Sequence, residues 1–327
     1  MIPTACAGQL HATDTEQLEQ LARPWDIRMR QVSPGRLSAR LHYLQINGIL
    51  LYREFWSHRI FANGATPEGY FFFGAPVSSK LDVGWCGTRL GAECLAFARS
   101  YSETDFVTPA QETHICMLVP DGLLRHYLGE ESAAAVLPDD RFAHCDRRCG
   151  VLLLQTMQRV LDKYVTEPEL LAHPQVCEAI EWQLMGGLVE FLLTRTDQGG
   201  CLAPGSRYRP LLQAVQVCER ARAPMTVREL ADAAGVSVRV LEKSFREGLQ
   251  MTPGQFLRCN RMNRVRRALL SNCKANSTVT GVLAGHQVSE LGRFAVDYKR
   301  FFGESPSATL AGPRPAPPQR MADLLGL

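Results

Sequence analysis

Several features that define large classes of proteins are absent from this sequence. It has no apolar run approaching the roughly 18 residues that a membrane-spanning helix needs. The first ten residues, MIPTACAGQL, lack both a basic segment and a long apolar stretch, so we expect no secretory signal peptide. These absences predict a cytoplasmic protein.

The patterns of common catalytic and metal sites are also missing. The eight histidines include no H-x-H pair, and the 11 cysteines include no CxxC pair, which favours reduced thiols. The closest cluster, His144, Cys145 and Cys149, lacks a second half at zinc spacing. Neither a nucleophile elbow nor a phosphate-binding glycine loop is present. We therefore expect no enzyme activity, no metal and no cofactor.

Charge is distributed unevenly along the 327 residues, a length that suits about two domains. Residues 207–310 hold 17 basic and 8 acidic residues, a balance of +9. The rest of the chain holds 19 basic and 25 acidic residues, a balance of −6. A basic module joined to an acidic remainder is typical of polyanion binding, although a solvated basic surface is the simpler alternative.

The sequence from Trp25 to Pro120 has the texture of an antiparallel β-structure. Short apolar and aromatic runs occur around Trp85 and at residues 36–45, 49–56, 70–73, 93–98 and 113–119. Asn47-Gly48, between the first two of these ranges, is a strong hairpin signal. Strands at this spacing predict a sandwich or small barrel. Residues 1–24 are expected to form an irregular tail with one modest helix at 14–21, capped by Thr13 or Asp14.

Helical periodicity replaces the strand pattern after Pro120. We predict a short helix at residues 121–128 and two long helices at 149–165 and 175–195, the last after Pro174. The long pair should pack antiparallel. Residues 198–207 are rich in glycine, proline and serine and are expected to link two domains. The proline-rich residues 313–327 are expected to form a flexible tail.

Residues 226–250 carry the signals of two short helices joined by a tight turn. Thr226 and Glu229 form a T-x-x-E capping box. Gly235 supplies the turn, because glycine tolerates a positive φ, and Ser237 is placed to cap the second helix.

The second of these helices is predicted to be two-sided. Leu241 and Phe245 stand four residues apart and should face the core. The opposite, polar face carries Arg239, Glu242, Lys243 and Arg246. Such a face suits contact with base edges and phosphates in a major groove, although a solvent-exposed charged helix would look the same.

A long helix is predicted from Thr252-Pro253 to about Leu270. Its apolar stripe comprises Phe256, Leu257, Met262, Val265 and Leu269. Its basic residues are Arg258, Arg261, Arg264, Arg266 and Arg267. We expect some of these arginines to contact phosphates and one or two to form internal ion pairs.

Two stretches of the C-terminal third resemble the AraC/XylS family of transcription regulators. The motifs V-S-x-R-x-L-x-x-x-F-R, T-P-x-x-F-L and R-M-x-x-V-R-R-x-L-L are similar to the first helix-turn-helix and linker helix of that family. The run LGRFAVDYKRFFGESPSATL at 291–310 is similar to its second unit, in the form of the XylS-like and ethanolamine-operon-regulator branches. The segment SPGRLSARLHYLQINGILLYREF also resembles the early barrel of the latter branch.

The resemblance implies an α+β architecture with two domains. Residues 25–197 would form an effector-sensing and dimerisation domain, with a cupin-like β-barrel at 25–120 and helices at 121–197. Residues 208–312 would form an all-α domain with two helix-turn-helix motifs, reading adjacent major grooves about one helical turn apart.

Positions that match the family's motifs imply the DNA contacts. In the first unit Arg239, Glu242 and Lys243 would read bases, with Ser237 as cap and possible phosphate contact. In the second unit the recognition helix begins near Ser289–Glu290. Gly292, Arg293 and Val296 would face the groove, Lys299 and Arg300 the backbone, and Leu291, Phe294 and Tyr298 the core. The further contacts implied are Arg246, Arg258, Arg264 and Glu290.

The second unit departs from the family pattern at its turn. Gln287 replaces the usual glycine and Val288 the usual phenylalanine, while Gly281 and Gly285 lie inside the supporting helix. Each internal glycine costs about 1 kcal/mol relative to alanine. We expect the turn to shift to Gly285 or the helix to fray, so that the first unit contributes more to specificity.

These observations predict an effector-responsive, dimeric transcription activator that binds promoter DNA and RNA polymerase. The alternatives are a constitutive dimeric regulator and a cupin-like enzyme fused to a basic domain. Candidate effector-pocket residues, each of which also suits a core or surface role, are Tyr52, Arg53, Trp56, His58, Phe71, Phe73 and Trp85. Family members respond to ethanolamine with a corrinoid, to aromatic carboxylates or to a cyclic dinucleotide, and the sequence does not choose among these.

Overall fold

A computed structural model describes most of the chain. The described residues are 5–77, 83–91, 94–137, 142–144, 149–194, 208–221, 223–271, 278–312 and 320–325. The predicted linker at 198–207 and Cys145 lie outside them. None of the helices within these ranges has the length and apolar character needed to cross a bilayer.

The N-terminal half is built on two antiparallel sheets. In spatial order, the seven-stranded sheet contains β1 (Ala5–Ala12), β3 (Ala39–Ile46), β4 (Ile49–Trp56), β11 (Glu112–Pro120), β6 (Tyr70–Pro76), β9 (Leu95–Ala98) and β12 (Phe142–His144). The five-stranded sheet contains β2 (Asp26–Gln31), β5 (Ile60–Ala65), β10 (Glu103–Val107), β7 (Val83–Trp85) and β8 (Thr88–Leu90). The predicted antiparallel β-structure is confirmed.

Among the described residues, helices flank the sheets and form the C-terminal part. The N-terminal part contains α1 (Thr15–Leu21), α2 (Asp121–Leu128), α3 (Glu130–Val136), α4 (Cys149–Thr166), a 3-10 turn (Pro168–Ala172) and α5 (Pro174–Thr194). The C-terminal part contains α6 (Tyr208–Arg220), α7 (Val227–Ala233), α8 (Val238–Leu249), α9 (Pro253–Ser271), α10 (Val279–Gly285), α11 (Leu291–Phe302), α12 (Pro306–Ala311) and α13 (Met321–Leu325).

The predicted hairpin between β3 and β4 is confirmed. Asn47 and Gly48 both have positive φ, 45° and 84°, as a tight two-residue turn requires. The turn sets the register, in which Ile46 pairs with Ile49 and Tyr43 with Tyr52. Because side chains alternate along a strand, β4 sends Leu51 to the helical layer and Leu50, Tyr52 and Trp56 to the space between the sheets.

The seven-stranded sheet is therefore buried on both faces. On its outer face Phe71, Phe73 and Phe97 pack with the long helices α4 and α5, whose predicted helical character is confirmed. On its inner face Trp25, Phe72 and Trp85 belong to a second core, between the two sheets.

Both chain ends are more ordered than the sequence suggests. Residues 5–12, expected in an irregular tail, form β1 and pair along their full length with β3. The predicted helix that follows is present, capped by the Asp14 carboxylate, which accepts the Gln17 N–H at 2.8 Å. Residues 321–325, expected in a flexible tail, form α13, whose Met321 and Leu324 are buried in the inner core. The tail predictions are wrong here because distant strands bury these apolar side chains.

The cysteines are not all reduced thiols. Cys94 is disulfide-bonded, so the sequence-based expectation is wrong at this position. The cysteines among the described residues that form no disulfide are Cys6, Cys86, Cys116, Cys177, Cys218 and Cys259.

Candidate nucleic-acid interface

The first helix pair of the C-terminal part has the predicted caps. Thr226 N–H donates to Glu229 Oε2 at 2.7 Å, and Glu229 N–H donates to Thr226 Oγ1 at 3.2 Å, which completes the capping box. Gly235, at φ 68°, makes the turn. Ser237 Oγ then accepts the Val240 N–H at 3.3 Å and starts α8. These local bonds set the direction in which α8 leaves α7.

The two faces of α8 are separated as expected. Leu241, Phe245 and Leu249 are buried, and the Phe245 ring lies 5.2 Å from that of Phe256 on α9. The side chains exposed on the opposite face are Arg239, Glu242, Lys243 and Arg246. Ser237, at the head of this helix, is also exposed.

The arginines of α9 have different environments. Arg258 is exposed and Arg264 is half-buried. Arg266 pairs with Glu304 at 2.8 Å, and Arg267 pairs with Glu19 of α1 at 2.7 Å. The prediction that one or two arginines form internal ion pairs is therefore confirmed.

The second helix pair repeats the turn geometry of the first. Thr278 Oγ1 accepts the Gly281 N–H at 3.1 Å and caps α10, so Gly281 lies in the first turn of that helix. Val288 N–H donates to the Leu283 carbonyl at 3.0 Å, as Val236 N–H donates to the Ala231 carbonyl at 3.0 Å in the first pair.

The expectation that this second turn shifts to Gly285 or frays is wrong. Gln287 itself adopts φ 55°, the left-handed conformation that Gly235 adopts in the first turn. Two contacts stabilise it there. Arg261 of α9 donates to the Gln287 carbonyl at 2.8 Å, and the neighbouring Val288 is buried against the core of the pair.

The faces of α11 follow the prediction at all but one position. Phe294, Tyr298 and Phe302 are buried, whereas Leu291, expected in the core, is 37% exposed. Leu291 is the first residue of the helix, one turn before the buried face begins, and so it projects beyond the core. The other exposed residues of this surface are Glu290, Gly292, Arg293, Val296, Lys299 and Arg300.

A cleft of about 350 Å³ lies between the two helix pairs. Its basic lining residues are Arg258, Arg261, Arg264 and Arg293, joined by His286. The pKa of His286 is lowered by burial and by the charges of Arg264 and Arg261. The four arginines outnumber the two carboxylates of the lining, Glu290 and Asp297, and the net positive charge attracts polyanions.

This chain is similar in sequence to several known proteins. Residues 230–312 match a family model described as a helix-turn-helix domain. The chain is 31% identical over 125 residues to the XylDLEGF operon transcriptional activator 2 of Pseudomonas putida. The aligned residues make up 38% of this chain and 78% of that protein. The chain is also 30% identical to a probable AraC family transcriptional regulator from Rhodopseudomonas palustris, with a TM-score of 0.29, covering 32% of this chain and 98% of that one.

The chain belongs to the AraC/XylS family of transcription regulators. The chain is also similar to the probable thc operon regulatory protein of Rhodococcus erythropolis, with 35% identity over 154 residues. That match covers 46% of each protein, so the chain spans a little under half the length of this relative.

The residues predicted to form an effector pocket do not come together. Tyr52, Trp56 and Trp85 lie in the core between the sheets. Phe71 and Phe73 point to the opposite side of the seven-stranded sheet and pack against helices. Their grouping with the others is wrong, because alternate residues of a strand face opposite sides.

The two remaining pocket candidates lie elsewhere. Arg53 reaches the helical layer and pairs with Asp162 of α4 at 2.7 Å. His58 Nδ1 lies at hydrogen-bond distance from Ser57 Oγ, 2.8 Å. The His58 ring also lies against Gly35, whose backbone N–H donates to the Phe301 carbonyl of α11. His58 is thus close to the contact between the two domains.

A cavity between the sheets includes residues that the sequence reading missed. Glu54, His114 and Cys116 line it, together with Trp85. Period-two alternation could have identified them, because Glu54 lies between Tyr52 and Trp56 on one strand face, and His114 shares a face with Cys116. The Glu54 carboxylate on an otherwise apolar strand face is the pattern that indicates a polar site inside the core.

Strand β2 of the N-terminal domain contacts helices α6 and α9 of the C-terminal domain. Arg30 donates to Glu219 of α6 at 2.5 Å and to Asn260 of α9 at 3.2 Å. Gln31 and Asn263 exchange two hydrogen bonds, of 3.1 and 2.8 Å. Burial lowers the pKa of Arg30, and the Glu219 charge opposes that shift. Buried polar contacts of this kind constrain the orientation of the two domains.

Proposed function

We propose that this protein is a sequence-specific DNA-binding transcription regulator, and an activator. The observation that carries the proposal is the pair of exposed polar helix faces, on α8 and α11, each set on an aromatic core after a left-handed turn. Helix α9 joins them and packs against both cores. We interpret the two pairs as helix-turn-helix units, reading adjacent major grooves about one helical turn apart.

Each exposed face has a distinct role in this proposal. Arg239, Glu242 and Lys243 read bases in one groove, and Gly292, Arg293 and Val296 in the other. The contacts to the DNA backbone are Ser237, Arg246, Arg258, Arg264, Glu290, Lys299 and Arg300. An arginine bound to guanine through two hydrogen bonds provides about 1–3 kcal/mol of discrimination. The intact turn at Gln287 supports a competent second unit.

The N-terminal domain is proposed to sense an effector and to form a homodimer. Its cupin-like barrel holds the cavity between the sheets. The long helices α4 and α5 expose three large apolar side chains, Leu152 at 59%, Trp182 at 68% and Leu193 at 54%. Exposed apolar side chains of this size favour a protein–protein contact. The sequence run at 291–310 supports a place near the XylS-like and ethanolamine-operon-regulator branches.

The two domains are proposed to communicate through the contact at β2. Arg30 and Gln31 hold α6 and α9, and α9 carries both helix pairs. A shift of β2 on effector binding would therefore move or release the DNA-binding units. Promoter DNA and RNA polymerase, in the cytoplasm, are the partners of this mechanism.

Selection of bound sequences from random DNA, followed by footprinting, tests the proposal. We expect Arg239→Ala to relax specificity in one half-site and leave the other protected. Arg264→Ala should weaken binding to all sequences. It should also reduce the slope of log binding constant against log salt concentration by about one, the release of one counterion. Arg209→Ala is the matched control, because it removes an exposed arginine from α6, outside both reading helices. Equal protection of both half-sites in Arg239→Ala would contradict the assignment of α8.

A further inference from the structure

The cavity between the sheets places an acid opposite an imidazole. Glu54 on β4 and His114 on β11 are direct partners in the antiparallel register. Both line a cavity of about 50 Å³. Side chains of such partners start only about 5 Å apart, so one small molecule can contact both.

Two buried polar side chains at this place lack partners. Both ring nitrogens of His114, a residue only 7% exposed, have no hydrogen-bond partner within the described part of the chain. Among the described residues the indole N–H of Trp56, a residue 1% exposed whose ring lies 5.5 Å from that of His114, makes no hydrogen bond of ordinary geometry, and it only partly favours the ionised form of Glu54. Buried polar groups without partners are rare in folded proteins, and they indicate a missing ligand or water.

The charge of the cavity selects among ligand classes. Among the described lining residues Glu54 is the one carboxylate, and no lysine or arginine is present. Burial raises the pKa of Glu54 to about 8, and burial lowers the pKa of His114 to about 4. An anionic ligand would therefore meet no countercharge, whereas a cation would gain a carboxylate once Glu54 ionises.

Aromatic rings form much of the remaining wall. Trp25 and Phe72 meet edge to face at 5.0 Å, and Trp85 and Phe106 complete the lining on the side of the five-stranded sheet. Aromatic faces attract organic cations through their quadrupoles, and most strongly where water is excluded.

We propose that this cavity binds a small organic monocation, an alkylammonium ion, through Glu54, His114 and the surrounding aromatic rings. The ammonium group donates to the Glu54 carboxylate and to the acceptor nitrogen of His114. The Trp56 N–H is then available to donate to the ionised carboxylate. A volume of about 50 Å³ holds roughly four water-sized groups, which limits the ligand to about four non-hydrogen atoms.

This inference rests on the proposed effector-sensing function and specifies its ligand. The test uses the full-length protein and titration calorimetry with three probes: propylammonium, 1-propanol and propionate. Propylammonium and 1-propanol have the same number of non-hydrogen atoms and differ in charge. We expect binding of propylammonium alone, with an affinity no tighter than roughly tens of micromolar for so small a ligand.

Glu54→Gln should weaken propylammonium binding by about tenfold or more, because it removes the charge and keeps the shape. Glu68→Gln is the matched control, since Glu68 is exposed in the turn before β6. Titration at pH 7 in buffers of different ionisation enthalpy should also show release of close to one proton. If Glu54→Gln fails to fold, the probe pair and the proton count on the wild-type protein still decide.

The outcomes are separable. Equal binding of 1-propanol, preference for propionate, or binding without proton release would overturn the assignment of a cation site. Sequence-specific DNA binding is measured on the same protein without the probes. Its absence would refute the proposed function and leave the ligand result standing, whereas specific DNA binding with no bound propylammonium would refute only this inference.

Discussion

The carboxyl of the half-buried Glu54, which lines the cavity between the sheets, should make the stability of the N-terminal domain depend on pH. Its pKa rises from an ordinary value of 4.5 to about 8 because it is buried, and the Trp56 N–H opposes that shift only in part. The folded state therefore holds a proton that the unfolded chain releases above about pH 4.5. Stability from this group is complete below that pH and is lost as pH rises through about 8.

The size of the effect follows from this window. Each pH unit between the two pKa values costs about 1.4 kcal/mol of the free energy of unfolding. Over the whole window the loss is about 3–5 kcal/mol, an order-of-magnitude value. Glu54→Gln removes this dependence, since the amide does not titrate. We expect the free energy of unfolding of the variant to rise relative to that of the wild type by about 1.4 kcal/mol per pH unit from pH 5 to 8. Above pH 8 the difference between the two proteins should stay constant.

Two other groups, His114 and Glu16, titrate in a similar pH range. Their contributions to the free energy of unfolding must cancel when the variant is compared with the wild type. Burial lowers the pKa of His114 to about 4, so its contribution is lost as pH falls from about 6.5 to 4. Burial raises the pKa of Glu16 on α1 to about 7, against the pull of Arg267. Both are present in the wild type and in Glu54→Gln, so the difference between the two proteins isolates Glu54.

Urea unfolding followed by tryptophan fluorescence provides the measurement, from pH 5 to 9. All four tryptophans lie at positions 25, 56, 85 and 182, so the signal reports the N-terminal domain. Glu68→Gln, exposed in a turn, should run parallel to the wild type. Parallel curves for Glu54→Gln and wild type across this range would refute the reasoning, because they would mean that Glu54 is ionised in the folded protein.

Three further variants test other parts of the structure. Gln287→Gly should stabilise the C-terminal domain by about 0.5–1 kcal/mol in thermal unfolding, because glycine adopts φ 55° without steric cost; a lower melting temperature would contradict this. Arg30→Met should cost roughly 2–3 kcal/mol in thermal unfolding by removing the charged partner of Glu219, whereas Arg28→Met, exposed on the same strand, should cost little. Trp182→Glu should shift a dimer towards monomer in light scattering at unchanged helicity, and an unchanged mass would remove α5 from the interface.

Much of the C-terminal domain could be predicted from the sequence. The capping box at Thr226, the turn at Gly235 and the buried pair Leu241 and Phe245 are all found where the pattern places them. Each depends on residues within about four positions along the chain, so local rules suffice. The turn at Gln287 escaped these rules, because Arg261, 26 residues away, stabilises it.

The cavity between the sheets could not be predicted in the same way. Aromatic residues of β4 and β6 were the obvious candidates, yet Phe71 and Phe73 face the helices. The register of β4 against β11, which brings Glu54 to His114, depends on strands about 60 residues apart. No local pattern contains that information, although the alternation around Glu54 does indicate which face it shares.

The sequence by itself determined the family and the two-sided helices, because caps, turns and periodicity act over a few neighbouring residues. The tertiary structure decided which polar groups became buried and paired. Arg267 of α9 meets Glu19 across 248 positions, and Arg30 meets Glu219 across 189. It also decided that Glu54 lies in a cavity lined by aromatic rings, since burial depends on what the opposite sheet supplies.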